Sequence, residues 1–329
     1  MLRPILNFMQ KKPIFAQYAI TYACNSRCKS CWYWTHGREG DLTLGEVRGL
    51  VEQLWDFGIR IVTITGGEPF VRPDAIDIIR MFYERGFRIA INTNGILLDQ
   101  NLIRKLSDIG KMYLMISLDS LDEDTYHRIR GVRGLSRILE TLRYLKEETV
   151  HHVRTFTTVS AINYQEVPKI IDYCREQGYS SSVYPVMRSD RSMWFTAHDP
   201  MGKEDQTRIA KLFGDLASLS KRDPTLFGFS AVYQGAAAFM RGESTGSCGA
   251  GEVLLHVSPD GGISACPESP PFVNIRTESL EEVYGRTGWR ETVKQCYTET
   301  PCYIGCTRTL QSVRNAPFRF AGETIRKHL

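Results

Sequence analysis

Nine cysteines mark this chain of 329 residues, and most of them fall into spaced groups. Cys24, Cys28 and Cys31 form C-x3-C-x2-C. Cys296, Cys302 and Cys306 form C-x5-C-x3-C, while Cys248 and Cys266 flank a stretch that reads as a hairpin. Cys174 stands alone in IIDYCREQGY and reads as a buried helix thiol. Three thiolates within eight residues can converge on one centre. A zinc site or a cubane usually takes four protein ligands, and no fourth cysteine lies near the first group. His36, five residues on, offers one way to complete a zinc site. The other reading is a 4Fe–4S cluster with one iron left open for a substrate to bind.

The next marked residues are Gly66-Gly67-Glu68-Pro69, directly after a buried-strand pattern over 60–65. The plain reading is a turn. The glycines also permit close approach to the backbone, and the carboxylate beside it can hold an ammonium. Thr93-Asn94-Gly95 follows a strand pattern over 87–92, and Ser117 and Asp119 sit at the end of another over 112–118.

Strand and helix alternate to position these residues. Strands are predicted over 16–21, 60–65, 87–92, 112–118, 153–160 and 179–187. Helices are predicted after the capping box Thr43…Glu46 as far as Gly58, and over 74–85, 100–109, 122–129, 135–148 and 164–177. Regular alternation of this kind gives a parallel sheet with helical crossovers, as an open doubly wound sheet or a barrel. No G-x-G-x-x-G follows the first strand, which weighs against a dinucleotide fold. In either architecture function belongs at the C-terminal ends of the strands. The cysteine loop, the Gly-Gly loop, the Asn94 loop and Asp119 all fall there.

The alternation stops after residue 188. Helical stretches over 203–220 and 233–241 read as a bridge, then a hairpin over 252–266 turns at Pro259-Asp260-Gly261. A short helix over 280–284 and an amphipathic tail over 319–329 complete the chain. Trp32, Tyr33, Trp34 and His36 follow the cysteine loop as a candidate roof, with core packing an equal reading, and Arg188 and Arg191 read as a solvated loop. The composition, 42 % apolar and 24 % charged, is that of a globular chain. A net charge near +4, dispersed along the chain, argues against a nucleic-acid partner. No apolar run approaches the ~18 residues of a transmembrane segment. Residues 1–15 are interrupted by Pro4 and Pro13 and carry Lys11 and Lys12 after the apolar residues, unlike a signal peptide. The expected compartment is the reducing cytoplasm, where grouped cysteines are metal ligands rather than disulfides.

The cysteine spacing, with Gly-Gly-Glu-Pro one strand later, resembles the radical S-adenosylmethionine (SAM) superfamily. The resemblance covers about the first 190 residues. It implies a partial (β/α)6 TIM-type barrel over 15–190. It implies that Cys24, Cys28 and Cys31 hold a 4Fe–4S cluster whose fourth iron chelates the methionine moiety of SAM. Gly66, Gly67, Glu68 and Pro69 would then meet its amino group. Thr93 and Asn94 would lie near the adenosyl group, and Ser117 and Asp119 would face the ribose and methionine. Arg130, in Arg128-Ile129-Arg130-Gly131, matches the stretch that follows in many members. Ser30 departs from the aromatic residue often found before the third cysteine. In the family, reduction of SAM yields a 5′-deoxyadenosyl radical that abstracts hydrogen from a substrate carbon. An electron donor such as flavodoxin or ferredoxin is implied as a partner.

The C-terminal cysteines resemble the SPASM/twitch extension of the same superfamily. The chain lacks the C-x2-C step before Cys296 and any cysteine after Cys306. A small twitch-like α+β domain with a β-hairpin and one auxiliary 4Fe–4S cluster fits this better than a full SPASM domain. Cys248, Cys266 and Cys306 are its expected ligands, with Cys302 or Cys296 the fourth. A zinc ribbon is the structural alternative. The expected domains are an N-terminal segment 1–14, the barrel 15–190, a helical bridge 191–245, the twitch-like domain 246–310 and a tail 311–329. The expected activity is small-molecule oxidation. Peptide or protein maturation is the second reading, and a non-enzymatic iron–sulfur or zinc protein the third.

Overall fold

The structure is a computed structural model that describes residues 2–31, 33–148, 150–186, 201–245, 248–286, 303, 305–316 and 323. Six strands run in chain order across one parallel sheet: β1 Phe15–Ala19, β2 Ile61–Thr65, β3 Arg88–Thr93, β4 Tyr113–Ser117, β5 His152–Val159 and β6 Ser180–Pro185. Their crossovers carry α2 Leu44–Phe57, α3 Ala75–Arg85, α4 Gln100–Ile109, α5 Glu123–Arg130, α6 Leu135–Glu148 and α7 Val167–Gln177. These are the six predicted β/α units, each end within a few residues. Their starts are set by local chemistry. The Thr43 hydroxyl accepts from the Glu46 N–H at 3.3 Å, and the Glu46 carboxylate accepts from the Thr43 N–H at 2.8 Å. This reciprocal cap satisfies two of the free donors at the start of α2.

Alternation along the strands divides the residues between two environments. Val62, Ile64, Ile89, Ile91, Leu114 and Ile116 are buried against the helical layer. Between them, Thr63, Thr65, Asn92, Met115 and Ser117 face a cavity inside the curved sheet. The core is therefore outside the strands, and the inside carries single polar side chains within a largely apolar lining.

Two features differ from the expected organisation. The first is α1, Leu2–Met9, a helix over a stretch whose prolines read as interruptions. Pro4 lies in its first turn, where no intrahelical N–H is lost. The Asn7 side chain donates to Phe57 O at 2.8 Å and ties α1 to the end of α2. The second is the hairpin. Its strands β7 Leu254–Val257 and β8 Gly262–Ser264 form as expected, but β7 pairs in parallel with β1, opposite Phe15–Tyr18. The hairpin and the short β9 Val273–Asn274 thus extend the barrel sheet itself. The bridge packs on the sheet. Helices α8 Lys203–Leu219 and α9 Ser230–Met240 bury Phe213, Val232 and Tyr233 with Val159 and Val183 in a second core at the β5–β6 end. Two further helices follow, α10 Leu280–Gly285 and α11 Gly305–Asn315. Among the described residues no helix is long and apolar enough to cross a membrane.

Candidate active site

The cysteine loop leaves β1 and is clamped to the end of α5. Arg27 N donates to Arg130 O at 2.8 Å, and Lys29 N donates to Ile129 O at 3.0 Å. The loop thereby fills the carbonyls a helix leaves unpaired at its C-terminus. Gly131 makes the approach possible: its φ is +68°, and a Cβ there would stand 2.4 Å from Arg27 O.

Cys24, Cys28 and Cys31 line one wall of a cavity of about 360 Å³, and all three are free thiols. Two of the sulfurs receive a donor: Ser26 N donates to Cys24 Sγ at 3.4 Å, and Arg130 Nη1 to Cys28 Sγ at 3.6 Å. Burial pushes the Cys24 thiol up to about 11 and the Cys31 thiol up to about 12. Desolvation favours the neutral thiol, so these thiolates need positive charge beside them. Among the described residues no three His, Cys, Asp or Glu side chains are grouped to hold a metal ion. His36, the candidate fourth zinc ligand, instead bonds Thr35 Oγ1 at 3.0 Å and packs against the Tyr22 ring.

The loop after β2 nests against the chain that enters the cysteine loop. Gly67 N donates to Thr21 O at 2.8 Å, and Glu68 N to Ala23 O at 2.9 Å. A Cβ on Gly67 would lie 2.3 Å from Ala23 O, so a neighbouring strand of backbone takes the space the glycine leaves. Glu68 is fully buried. Its carboxylate accepts from Thr93 Oγ1 at 2.8 Å, Asn94 N at 2.7 Å and Phe70 N at 3.2 Å. Protein donors thus surround the carboxylate that the sequence offers to an ammonium. Burial still pushes its pKa from 4.5 to about 7, with the three hydrogen bonds and the Arg130 charge pulling the other way. Asn94 continues the network, donating to Asn25 Oδ1 at 2.6 Å and Ser26 Oγ at 3.2 Å. Glu68 therefore links the loops after β1, β2 and β3.

Asp119 and Arg130 form a buried pair, with Nε 2.5 Å from Oδ2. Thr158 N donates to the other Asp119 oxygen at 2.8 Å. The charge on Arg130 is thus shared between Asp119 and Cys28. Gly66, Gly67, Thr93, Asn94, Ser117, Asp119 and Arg130 reach the same cavity as the cysteines, whereas Glu68 and Pro69 sit behind its wall.

The C-terminal segment contributes the rest of that wall. Pro267 and Glu268, just after Cys266, line the cavity, as do Tyr303 and Gly305, which flank Cys302 and Cys306 in sequence. Gly251 N donates to Ala265 O at 3.2 Å, which brings the Cys248 and Cys266 stretches side by side. Gly249 packs on Gln311 of α11, whose second residue is Cys306. Cys296, Cys302, Arg188, Arg191 and Trp32 lie outside the described residues. Trp34 lines the cavity, and Tyr33 is buried behind it. Cys174 is buried on α7 with its sulfur 3.2 Å from Thr155 Oγ1. The inward residues Gln17, Thr63, Asn92 and Thr158 carry no motif in the sequence. Their signal is that of single polar residues alternating with apolar ones, as in RIVTIT and FRIAIN.

A family model for the radical SAM superfamily matches residues 18–187, which is more than half of the chain. The chain belongs to the radical SAM superfamily. Among curated relatives it is similar to the AdoMet-dependent heme synthase of Methanosarcina barkeri, at 28 % identity over 220 residues, covering 65 % of this chain and 61 % of that protein. It is also similar to a probable GTP 3′,8-cyclase of Methanocaldococcus jannaschii, at 29 % identity over 163 residues, covering 49 % of this chain and 54 % of that protein. The chain thus spans less than two-thirds of either relative. In fold it resembles Streptococcus suis SuiB bound to its precursor peptide SuiA, with a TM-score of 0.69, 15 % identity and coverage of 93 % of this chain and 73 % of that one. It also resembles anSMEcpe with bound AdoMet and a peptide, with a TM-score of 0.67, 16 % identity and coverage of 88 % and 84 %.

Radical SAM membership implies a 4Fe–4S cluster and SAM. The residues fit such a group: three thiols line one cavity, two of them with a hydrogen-bond donor to the sulfur, and the side chains of Asn92, Thr93 and Ser117 reach the same space. Hydrogen bonds of this kind to cluster sulfurs are among the means by which a protein tunes cluster potential.

Proposed function

We propose that this protein is a small-molecule oxidoreductase of the radical SAM superfamily, working in the cytoplasm with a flavodoxin- or ferredoxin-type electron donor. The observation that carries the reading is the meeting of the three cysteines, the Gly66-Gly67 loop and the Asp119–Arg130 pair on one cavity at the strand ends. Cys24, Cys28 and Cys31 hold the cluster. When bound, the cluster and SAM supply a carbon-centred radical able to remove hydrogen from an unactivated carbon. The chain's own part is placement. Gly66, Gly67, Thr93, Asn94 and Ser117 frame the methionine and adenosyl groups. Glu68 acts behind them, holding three loops in register through Thr93, Asn94 and Phe70. Pro69 starts the turn that returns the chain toward α3. Arg130 holds Asp119 and faces Cys28.

The auxiliary 4Fe–4S site of a twitch-like segment is assigned to Cys248, Cys266 and Cys306, with Cys302 or Cys296 as fourth ligand. In its favour, the residues beside Cys266, Cys302 and Cys306 line the same cavity as the first cysteine group. A cluster held by these cysteines would supply an electron acceptor for a substrate radical. Because walls from both the barrel and the C-terminal segment bound the chamber, it suits a small molecule held inside.

The deciding experiment replaces Cys24, Cys28 and Cys31 together by Ala. Reconstituted anaerobically with dithionite and SAM, the native chain forms 5′-deoxyadenosine and the triple variant forms none. Product from the triple variant would refute the assignment.

A further inference from the structure

Helix α1 is turned inside out. A surface helix ordinarily buries its apolar stripe and leaves its polar side to water. In α1 the buried residue is Asn7, only 4 % exposed, whose amide donates to Phe57 O at 2.8 Å and to Pro13 O at 3.3 Å. Ile5, Leu6, Phe8 and Met9 face away from the fold, at 60, 46, 44 and 73 % exposure. At 3.6 residues per turn these four share an arc of about 160°, with Asn7 on the opposite side. Four of the nine large apolar side chains exposed among the described residues thus lie on one helix of eight residues. Burying them would stabilise the fold, and the fold leaves them out.

The charge beside this face is positive. Residues 1–38 hold no Asp or Glu. Arg3 is paired with Glu281, but Lys11 and Lys12, just past the end of α1, pair with no carboxylate among the described residues. Lys12 Nζ lies 6.0 Å from the centre of the Phe57 ring. Lys11 is the only non-glycine residue described with a positive φ, +56°. Lys12 N donates to Asn7 O at 2.8 Å across it, closing the helix end. Glycine is the usual residue at such an end. A lysine there keeps a cation beside the apolar face at a conformational cost.

We propose that α1 is a membrane-surface anchor: Ile5, Leu6, Phe8 and Met9 enter the boundary between headgroups and acyl chains of an anionic bilayer, and Lys11 and Lys12 meet its lipid phosphates. The inference stands apart from the chemistry of the cavity. An apolar arc flanked by lysines is the pattern of a helix that lies in a membrane surface without crossing it. A protein partner fits less well. Eight residues make a strip about 12 Å long, far short of the roughly 800 Å² per partner of a stable protein interface.

The test is co-sedimentation of the full chain with vesicles of phosphatidylcholine alone and of phosphatidylcholine mixed with phosphatidylglycerol. The native chain is expected to pellet with the anionic vesicles, less so as salt is raised, and weakly with the neutral ones. Replacing Ile5→Gln and Met9→Gln together is expected to lower the affinity roughly ten-fold or more. Lys11→Gly is expected to lower it about five-fold on anionic vesicles only. Thermal unfolding without vesicles separates binding from folding. The double variant keeps the native midpoint, because both side chains are exposed, and Lys11→Gly keeps or raises it, because glycine adopts the positive φ freely. The proposal is overturned by a chain that stays in solution with anionic vesicles, by equal binding to neutral ones, by unchanged binding in either variant, or by a lowered midpoint in the double variant. It is also overturned by a native dimer that the double variant dissolves, which would assign the face to a second copy of this chain.

Discussion

Glu68 shows how one residue's environment redirects its chemistry. Its carboxylate has three protein donors and no exposure, and burial raises its pKa from 4.5 to about 7. The folded state therefore holds the proton more tightly than the unfolded chain does. Stability from this group is fully present below pH 4.5 and is lost as pH rises to about 7, because over that range the unfolded carboxyl ionises while the buried one keeps its proton. The shift corresponds to about 3 kcal/mol at most. In Glu68→Gln this slope is expected to vanish. Urea unfolding of the metal-free chain across that range, native against variant, checks it, and equal slopes would rule out the raised pKa. The motif itself is legible in the sequence, since Gly66-Gly67-Glu68-Pro69 follows a strand and carries a charge where strands end. Its partners are not, because Thr93 and Asn94 reach Glu68 only after β2 and β3 pair.

At the level of elements, the cysteine loop depends on the end of α5 as much as on its own sequence. Gly131 terminates that helix in the left-handed region, directly against Arg27 O. Gly178 terminates α7 in a similar conformation, φ +78°, with nothing within 4 Å of the place a Cβ would occupy. The pair separates two effects. Gly178→Ala carries only the backbone cost, about 1–2 kcal/mol. Gly131→Ala carries that cost and also pushes the cysteine loop away. It is expected to lower the unfolding midpoint further and to reduce the iron retained by the N-terminal site, whereas Gly178→Ala retains full iron. Equal losses in both would show that the α5 contact does not hold the loop. The β/α units themselves are readable because caps, periodicity and glycine stops agree within each helix, as in Thr43, Glu46 and Gly58 around α2. Helix α1 escapes the sequence reading because Pro4 counts there as a break, although a first-turn proline leaves a helix intact. The docking of β7 on β1 escapes it for another reason: it joins residues 15–18 to 254–257, and no local pattern carries a pairing of that span.

For the whole molecule, the sheet brings the two ends of the sequence to one chamber. β7 lies beside β1, and so the hairpin that leads to Cys266 starts next to the strand that leads to Cys24. Cavity residues follow or flank cysteines of both groups, Ser26, Lys29 and Ser30 in the first and Pro267, Tyr303 and Gly305 in the second. That convergence is what supports the proposed auxiliary centre. It also makes a stoichiometric prediction. On the proposed assignment the five C-terminal cysteines suffice for one four-ligand site with one thiol left over, and not for two. The anaerobically reconstituted chain is expected to bind about eight irons as two 4Fe–4S clusters. The triple variant at Cys24, Cys28 and Cys31 is expected to keep about four, in a cluster whose spectrum is indifferent to SAM. Replacing Cys296 and Cys302 by Ala one at a time then finds the ligand, since only one of the two substitutions costs iron. Zinc in place of iron in the triple variant would make the C-terminal segment a structural ribbon and would remove the electron acceptor from the proposed oxidation. About eight irons remaining there would mean a second auxiliary cluster that relies on ligands other than these five cysteines.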